Sequence, residues 1–176
     1  KEKCDAEYAL EKIKFNSNLA VIGDYSFYKC TALKQISLSD SVTELGREVF
    51  ANCSSLEKVV LPNKITQISS SLFENCSSLV SVNIPNTVTE IDSSAFSNCI
   101  SLKEILIPSS VKQIGWYAFR NCSNLTTVKI TGCVALGRCS FIDCKNLKNV
   151  IFTSEIQDLG FNTFENCVSL KTITFP

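Results

Sequence analysis

The chain contains no histidine and no methionine, and it has only one tryptophan and six glycines among 176 residues. The lack of histidine removes the commonest general base and excludes Ser-His and Cys-His catalytic pairs. The glycines occur singly, so no glycine-rich phosphate-binding loop is present. No carboxylate pair stands out at helical or strand spacing. We therefore expect a protein that is not an enzyme and that needs no cofactor.

Neither sign of charge is in excess, because Lys plus Arg and Asp plus Glu each number 17. Proteins that bind nucleic acid usually show a basic excess or a basic stripe, and the sequence shows neither, so no nucleic-acid partner is expected. No apolar run approaches the ~20 residues that cross a bilayer, so no membrane insertion is expected. The missing methionine indicates a trimmed product. We expect a fragment of a longer protein, whose compartment the absent signal peptide does not reveal.

What the chain does contain is one phrase written seven times. Its pattern is L-x-x-I-x-L-P followed by V-x-x-I-G-x-x-A-F-x-x-C, and it recurs at a constant spacing with a single exception. The copies begin at Leu33, Leu56, Leu79, Leu102, Leu125, Leu147 and Leu170. A fixed period of this length is typical of stacked repeats, each of which cannot bury its apolar side alone.

The repeats divide the chain into two parts within a single domain, 1–176. Residues 1–15 form an irregular N-terminal cap or half repeat, in which Leu10, Ile13 and Phe15 fill repeat positions. Residues 16–176 hold seven repeats and end directly after the last predicted strand. The repeat that follows Leu125 is one residue shorter, so we expect a kink or bulge between Ile130 and Cys133.

Each repeat has one segment that predicts a strand and one that predicts a return. The Leu-x-x-Ile-x-Leu segment alternates apolar and polar residues, as a short strand does. Stacked copies form one parallel sheet of eight strands, centred on Lys14, Ser37, Val60, Asn83, Leu106, Lys129, Ile151 and Thr174. The return, for example 93–99, predicts a short helical or 3-10 turn, because about ten residues leave no room for a longer helix.

Two repeat positions predict buried columns. Phenylalanine occupies one of them, at Phe27, Phe50, Phe73, Phe96, Phe119, Phe141 and Phe164. Cysteine occupies the other, at Cys30, Cys53, Cys76, Cys99, Cys122, Cys144 and Cys167. Parallel Cβ vectors in neighbouring turns disfavour the torsion that a disulfide needs, so we interpret the cysteine column as packed free thiols.

Three cysteines, Cys4, Cys133 and Cys139, lie outside that column, and their redox state is open. A Cys133–Cys139 disulfide is one alternative. A metal site that draws on Cys133, Cys139 and Cys144 is another, although the paired spacing typical of zinc ligands is missing. We expect no metal.

Two surfaces are candidates for recognition. Along the outward side of the predicted sheet, the apolar side chains of Val60, Leu106 and Ile151 stand where solvent should be, and polar neighbours include Lys58, Asn83, Glu104 and Lys129. Such a mixed patch suits a protein partner, whereas ordinary strand propensity is the alternative explanation. On the return side, Trp116 and Tyr117 form either an exposed contact or a local apolar cover.

Four Asn-x-Ser/Thr triplets begin at Asn52, Asn75, Asn121 and Asn124. They match the acceptor pattern for N-glycosylation. Three of them arise from the Asn-Cys-Ser phrase of the repeat itself, so coincidence is the simpler interpretation.

The repeat phrase resembles the BspA-type leucine-rich repeat over nearly the whole chain, from about Leu10 to Pro176. The Asn or Cys of the commoner leucine-rich consensus is replaced, for example by Ser41 and Lys64, as is typical of this subclass. The resemblance implies a right-handed α/β solenoid with one short parallel strand per repeat and short helical or 3-10 turns on the convex side. It also implies a role in adhesion on the surfaces of bacteria and protists, without implying a ligand.

Two hypotheses of function follow. The first is a non-catalytic binding module, secreted or displayed at a cell surface, that binds a host or matrix protein through a concave sheet face. The second is an intracellular scaffold or structural component that joins a larger assembly through its C-terminal edge. An enzyme is expected only if a flanking domain supplies the chemistry.

Overall fold

The computed structural model describes residues 10–11, 13–15, 18–132 and 134–176. Most of the expected N-terminal cap, including Cys4, and also Cys133 lie outside these residues. Within them the chain is a parallel-strand solenoid of about seven turns, so the prediction of stacked repeats is confirmed. None of the described residues forms a helix long and apolar enough to span a bilayer.

The described residues form fourteen short strands, two in each turn. They are β1 Val21–Ile22, β2 Gln35–Ser37, β3 Glu44–Leu45, β4 Lys58–Val60, β5 Gln67–Ile68, β6 Ser81–Val82, β7 Glu90–Ile91, β8 Glu104–Ile107, β9 Gln113–Ile114, β10 Thr127–Ile130, β11 Ala135–Leu136, β12 Asn149–Phe152, β13 Asp158–Leu159 and β14 Thr172–Thr174. All pairings are parallel, because each turn lies on the previous one in the same direction.

The predicted strands form the first ladder, which consists of β2, β4, β6, β8, β10, β12 and β14. The ladder is not one sheet of eight strands. It is a sheet of three, β2-β4-β6, followed by a sheet of four, β8-β10-β12-β14, and 13–15 contribute no strand. Between the two sheets the N–H of Lys103 still donates to the carbonyl of Val80 over 3.4 Å, so the turns remain stacked across the break.

A second ladder corrects the expectation of one strand per repeat. It runs through β1, β3, β5, β7, β9, β11 and β13, which are only two residues long. Each of these strands except β13 carries one buried apolar residue, for example Ile91 in β7 and Ile114 in β9. Two residues are too few to show the alternation by which a strand is recognised in a sequence, so this ladder was missed.

The second ladder is interrupted between β3 and β5. In other turns the backbone N–H at the repeat's glycine position donates to the preceding turn, as Gly115 does to Ile91 and Asp92 does to Ile68. At this gap the side-chain hydroxyl of Ser69 donates to the carbonyl of Leu45 instead. The hydroxyl therefore takes the acceptor that the ladder would use.

The return segments are not helical, so the α/β class and the helical or 3-10 turns are wrong for the described residues. In the turn that contains Phe96, the N–H groups of Ser94, Phe96 and Asn98 donate to carbonyls of the next turn. The alternate N–H groups, for example that of Ser97, donate three residues back within their own turn. A helix cannot form because every second donor is used between turns, and because Ser94 and Asn98 have φ values of 57° and 60°.

The side of the solenoid formed by these returns, here called the turn side, also carries a ladder of asparagine amides. Asn75 donates to Asn52, Asn98 to Asn75 and Asn121 to Asn98, over 2.8–3.1 Å. Each of these residues has a positive φ, a conformation that asparagine tolerates better than most residues. The Asn-Cys-Ser phrase is thus explained by backbone geometry and stacking, because the side-chain amides of Asn75 and Asn121 already have partners.

The phenylalanine column is confirmed. Neighbouring rings are stacked with centroids 4.9–5.7 Å apart and interplanar angles of 1–20°. The five central rings, Phe50 to Phe141, are fully buried, whereas Phe27 and Phe164 at the ends are partly buried. This offset stacking places the column at the centre of one continuous apolar core.

The cysteine column is confirmed with one exception. Cys53, Cys76, Cys99, Cys122, Cys144 and Cys167 are buried free thiols. Cys30, the first member of the column, is disulfide-bonded, so the prediction of a free thiol is wrong there. Cys139 is also a buried free thiol, which excludes the Cys133–Cys139 disulfide.

Each free thiol of the column donates to the carbonyl of the phenylalanine in the preceding turn. The Sγ–O distances are 3.1–3.2 Å from Cys53 to Phe27 through Cys167 to Phe141. Burial raises the pKa of Cys53 to about 12, and desolvation likewise raises the pKa of Cys99 well above its ordinary value. At neutral pH these thiols are therefore protonated structural donors. They are also unreactive, because the thiolate is the reactive form of cysteine.

The shortened repeat does not interrupt either ladder. Strand β10 pairs in register with both β8 and β12, and β11 pairs with both β9 and β13. Thr127 pairs with Glu104 at the usual repeat spacing, whereas Ala135 pairs with Gln113 at a spacing one residue shorter. The missing residue is therefore absorbed in 131–134, the connection between the two ladders.

Candidate protein-binding face

The outward side of the first ladder, here called the sheet face, is built from three columns of side chains. Each turn contributes three residues, which are the first, second and fourth residues after the first leucine of its repeat. In the turn of β4 these are Glu57, Lys58 and Val60, which are exposed on either side of the buried Val59. The two-residue alternation of a strand sends Lys58 and Val60 outward while Val59 packs inward, and Glu57 is exposed directly before the strand begins.

The seven residues predicted for this face lie in two neighbouring columns. Val60, Asn83, Leu106, Lys129 and Ile151 share one column, and Lys58 and Glu104 belong to the next. The side chains of Val60 and Leu106 are 58% and 53% exposed, whereas the side chain of Ile151 is less exposed and half-buried. The two sheets of the first ladder therefore hold apolar and polar groups side by side.

The third column was missed by sequence reasoning. It consists of Lys34, Glu57, Val80, Lys103, Thr126, Lys148 and Lys171. Val80 adds another exposed apolar side chain, at 42%. The available signal is the position directly after the first leucine of each repeat, where four of the seven residues are lysine.

The sheet face is basic although the chain is neutral. Its three columns from Lys34 to Thr174 hold six lysines and two glutamates, a net charge of +4 on a chain whose net charge is zero. The lysines are Lys34, Lys58, Lys103, Lys129, Lys148 and Lys171, and the glutamates are Glu57 and Glu104. The expectation that the chain has no basic stripe is thus wrong for this face, because folding collects lysines that belong to different repeats of the sequence.

A surface depression lies at the edge of the sheet face. It is lined by Lys103, Lys148, Thr126, Asn124 and Asn146. The Thr126 hydroxyl donates to the carbonyl of Lys103 over 3.1 Å, so its proton is already used. Two lysines and two asparagines thus contribute to the lining, and lysine and asparagine side chains can donate hydrogen bonds to an anionic oxygen.

The turn side presents the second predicted surface. Trp116 is 61% exposed, whereas Tyr117 is half-buried, with the guanidinium of Arg120 5.8 Å from its ring centroid. In the next two turns the position of Trp116 is taken by Arg138 and by Phe161, which is 75% exposed. Trp116 is therefore a surface residue, and Tyr117 contributes to a local cover.

The described residues contain no group of three or more His, Cys, Asp or Glu side chains that is arranged to hold a metal ion. A larger depression on the second ladder borders the interruption between β3 and β5, and its lining includes Asp24, Arg47 and Asp92. Asp24 is committed there to a salt bridge with Arg47 at 3.5 Å. Asp92 accepts hydrogen bonds from Ser93 and Gln67.

Comparison with protein families and solved structures agrees with this architecture. The family model of the BspA type leucine rich repeat region matches residues 2–126 and 66–176 in six copies. No curated protein gives a significant match to the chain.

Three solved structures illustrate the likeness. A T. pallidum leucine-rich repeat protein is 31% identical with a TM-score of 0.81, over 87% of this chain and 72% of that one. A Bacteroides ovatus leucine-rich repeat protein is 26% identical with a TM-score of 0.59, over 89% and 58%. A leucine rich cell surface protein of Faecalibacterium prausnitzii, 23% identical with a TM-score of 0.54 over 89% and 58%, shows the fold alone. The chain thus spans little more than half of the latter two.

Proposed function

The chain belongs to the family of BspA-type leucine-rich repeat proteins, and from that premise we propose that it is a non-catalytic module that binds a protein through the sheet face. Proteins of this family are generally protein-interaction modules. The observation that carries the proposal is the column of Val60, Leu106 and Ile151, because Val60 and Leu106 are more than half exposed there and Ile151 is partly exposed. The polar neighbours Lys58, Asn83, Glu104 and Lys129 complete a mixed surface of the kind that partners use.

We further propose that the module acts at a cell surface or after secretion, as an adhesin that binds a host or matrix protein. Support comes from the family resemblance and from a scaffold whose interior repeats while its outward residues change from turn to turn.

A second candidate function is a structural part of a larger assembly. The turn side favours it, because Trp116 and Phe161 are 61% and 75% exposed and occupy the same repeat position two turns apart. Exposed apolar side chains on one surface are typical of a contact with another protein. Substitution of these two by Ser, followed by sizing of any assembly, separates this role from binding by the sheet face.

The test of the first proposal is binding of immobilised chain to a panel of purified extracellular-matrix proteins. Replacing Val60 and Leu106 by Glu removes the apolar contact from the sheet face and adds charge, and we expect at least ~10-fold weaker binding. The matched control replaces the exposed Thr66 and Gln113 of the second-ladder side by Glu. Equal binding by both double variants would place the contact elsewhere.

A further inference from the structure

The charge of the sheet face points to the chemistry of its partner. We propose that the face binds an extended polypeptide segment that alternates acidic and apolar residues, with an acidic side chain seated between Lys103 and Lys148. This inference rests on the proposed function, since it assumes that the sheet face is the contact surface and adds the class of partner.

The first step is the distribution of lysines. In the half of the sheet face that begins at β8, four lysines, Lys103, Lys129, Lys148 and Lys171, are exposed, and Glu104 is the acidic residue among them. Neighbouring strands of a ladder lie ~4.8 Å apart. The four ammonium groups therefore belong to a patch of four consecutive turns, which attracts a complementary negative partner and steers its approach.

The second step is the depression between Lys103 and Lys148. These lysines are two turns apart in one column, and the intervening Thr126 is shorter and only half-exposed. The amides of Asn124 and Asn146 line the same depression. A carboxylate placed there has two lysine and two asparagine side chains as neighbours, which single exposed lysines do not offer.

The third step distinguishes a polypeptide from other polyanions. The outward columns contain Val60, Val80 and Leu106, each more than two-fifths exposed, and only an apolar group of the partner removes such side chains from water favourably. The columns from Lys34 to Thr174 contain no aromatic residue on which a nucleic-acid base would stack and no arginine for bidentate phosphate contacts. An acidic segment with interspersed apolar residues satisfies both kinds of group.

The test selects peptides of about ten residues from a random displayed library on the immobilised chain. At ~3.3 Å per residue such a peptide crosses all seven turns of the ladder. We expect the selected peptides to be enriched in Asp, Glu, Leu, Ile and Val. The strongest binder is then made synthetically and labelled, and its affinity is measured by fluorescence anisotropy at low and high salt, where screening should weaken it about tenfold.

Variants of opposite sign sharpen the result. Lys103→Glu with Lys148→Glu should weaken the peptide at least ~30-fold, whereas Lys64→Glu with Lys112→Glu, which makes the same change in net charge away from the sheet face, should change its affinity less than ~3-fold. Glu104→Lys should strengthen binding a few-fold. A gain in affinity is a result that misfolding cannot imitate.

Each other outcome overturns a defined part of the proposal. Peptides that lose affinity on Leu106→Glu but show no acidic enrichment overturn the acidic partner and leave the sheet-face function standing. Peptides indifferent to every sheet-face variant overturn both. Heparin or a single-stranded oligonucleotide that binds more tightly than any selected peptide, and is lost in the Lys103→Glu, Lys148→Glu variant, overturns the choice of a polypeptide.

Discussion

The turn side and the sheet face of this solenoid treat the same repeat in opposite ways. At the buried positions of the turn side the same residue types recur, with phenylalanine in one column and cysteine in another. On the sheet face, the column through Val60 reads Ser37, Val60, Asn83, Leu106, Lys129, Ile151 and Thr174, without a single repetition. The comparison teaches that stacking needs identical neighbours inside, whereas the outward column is free to carry a specific surface.

The largest expected effect is on the turn side. Phe96→Ala should lower the free energy of unfolding by about 3–5 kcal/mol, because it empties a fully buried position between two stacked rings. Denaturant unfolding measures this loss. Phe164→Ala is the matched control, since this ring is only partly buried and has one described neighbour in the column, and it should cost less. Equal losses at both positions would mean that the column does not act through neighbouring turns.

The cysteine column should give a smaller loss and a distinctive pH dependence. Cys99→Ala should cost about 1–2 kcal/mol, because the thiol is buried and donates to Phe73. Burial raises the pKa of Cys53 from 9.0 to about 12, so the unfolded chain releases this proton at a lower pH than the folded chain does.

The stabilisation from the Cys53 thiol is complete below pH 9 and is lost as the pH rises towards 12. Unfolding in urea at a series of alkaline pH values should therefore show a steep fall in stability. The fall should be shallower in Cys53→Ala, and an unchanged slope would remove this thiol from the core.

A change of similar size is expected in the asparagine ladder. Asn98→Ala should cost about 1–2 kcal/mol, because it removes two side-chain hydrogen bonds and places a Cβ at a φ of 60° without the tolerance of asparagine. Asn98→Gly loses the same hydrogen bonds but accepts the positive φ, so it should cost less. Thermal unfolding of the two variants separates the amide contribution from the backbone contribution, and a costlier glycine variant would contradict this assignment.

The features predicted from the sequence are those that depend on the period. Phe73 and Phe96 stack because they occupy the same position in successive repeats, and each repeat makes one turn of the solenoid. The strands of the first ladder followed from the same rule. The helical return was wrong because nothing in the identity of Ser94 reveals its positive φ. The recurring Asn98 position was the available signal, and we interpreted the triplets at equivalent positions as a coincidental glycosylation pattern.

The other features that were not predicted are the local charge of one face and the very short strands. Six lysines on one face are invisible in a net charge of zero, since the compensating carboxylates lie on other sides of the solenoid. The second ladder has strands of two residues, such as Glu90–Ile91, which carry no periodic signal. The disulfide of Cys30 was not predicted because this residue occupies the same repeat position as the free thiols of the cysteine column.

The central claim is that the repeated interior stabilises the fold while the changing sheet face only displays side chains. Its most direct test is the free energy of unfolding of Leu106→Glu beside that of Phe96→Ala, measured in the same denaturant. The account predicts a change within about 0.5 kcal/mol for the exposed Leu106 and a loss of about 3–5 kcal/mol for the buried Phe96. A comparable loss in both variants would contradict it, because Leu106 would then be part of what holds the turns together.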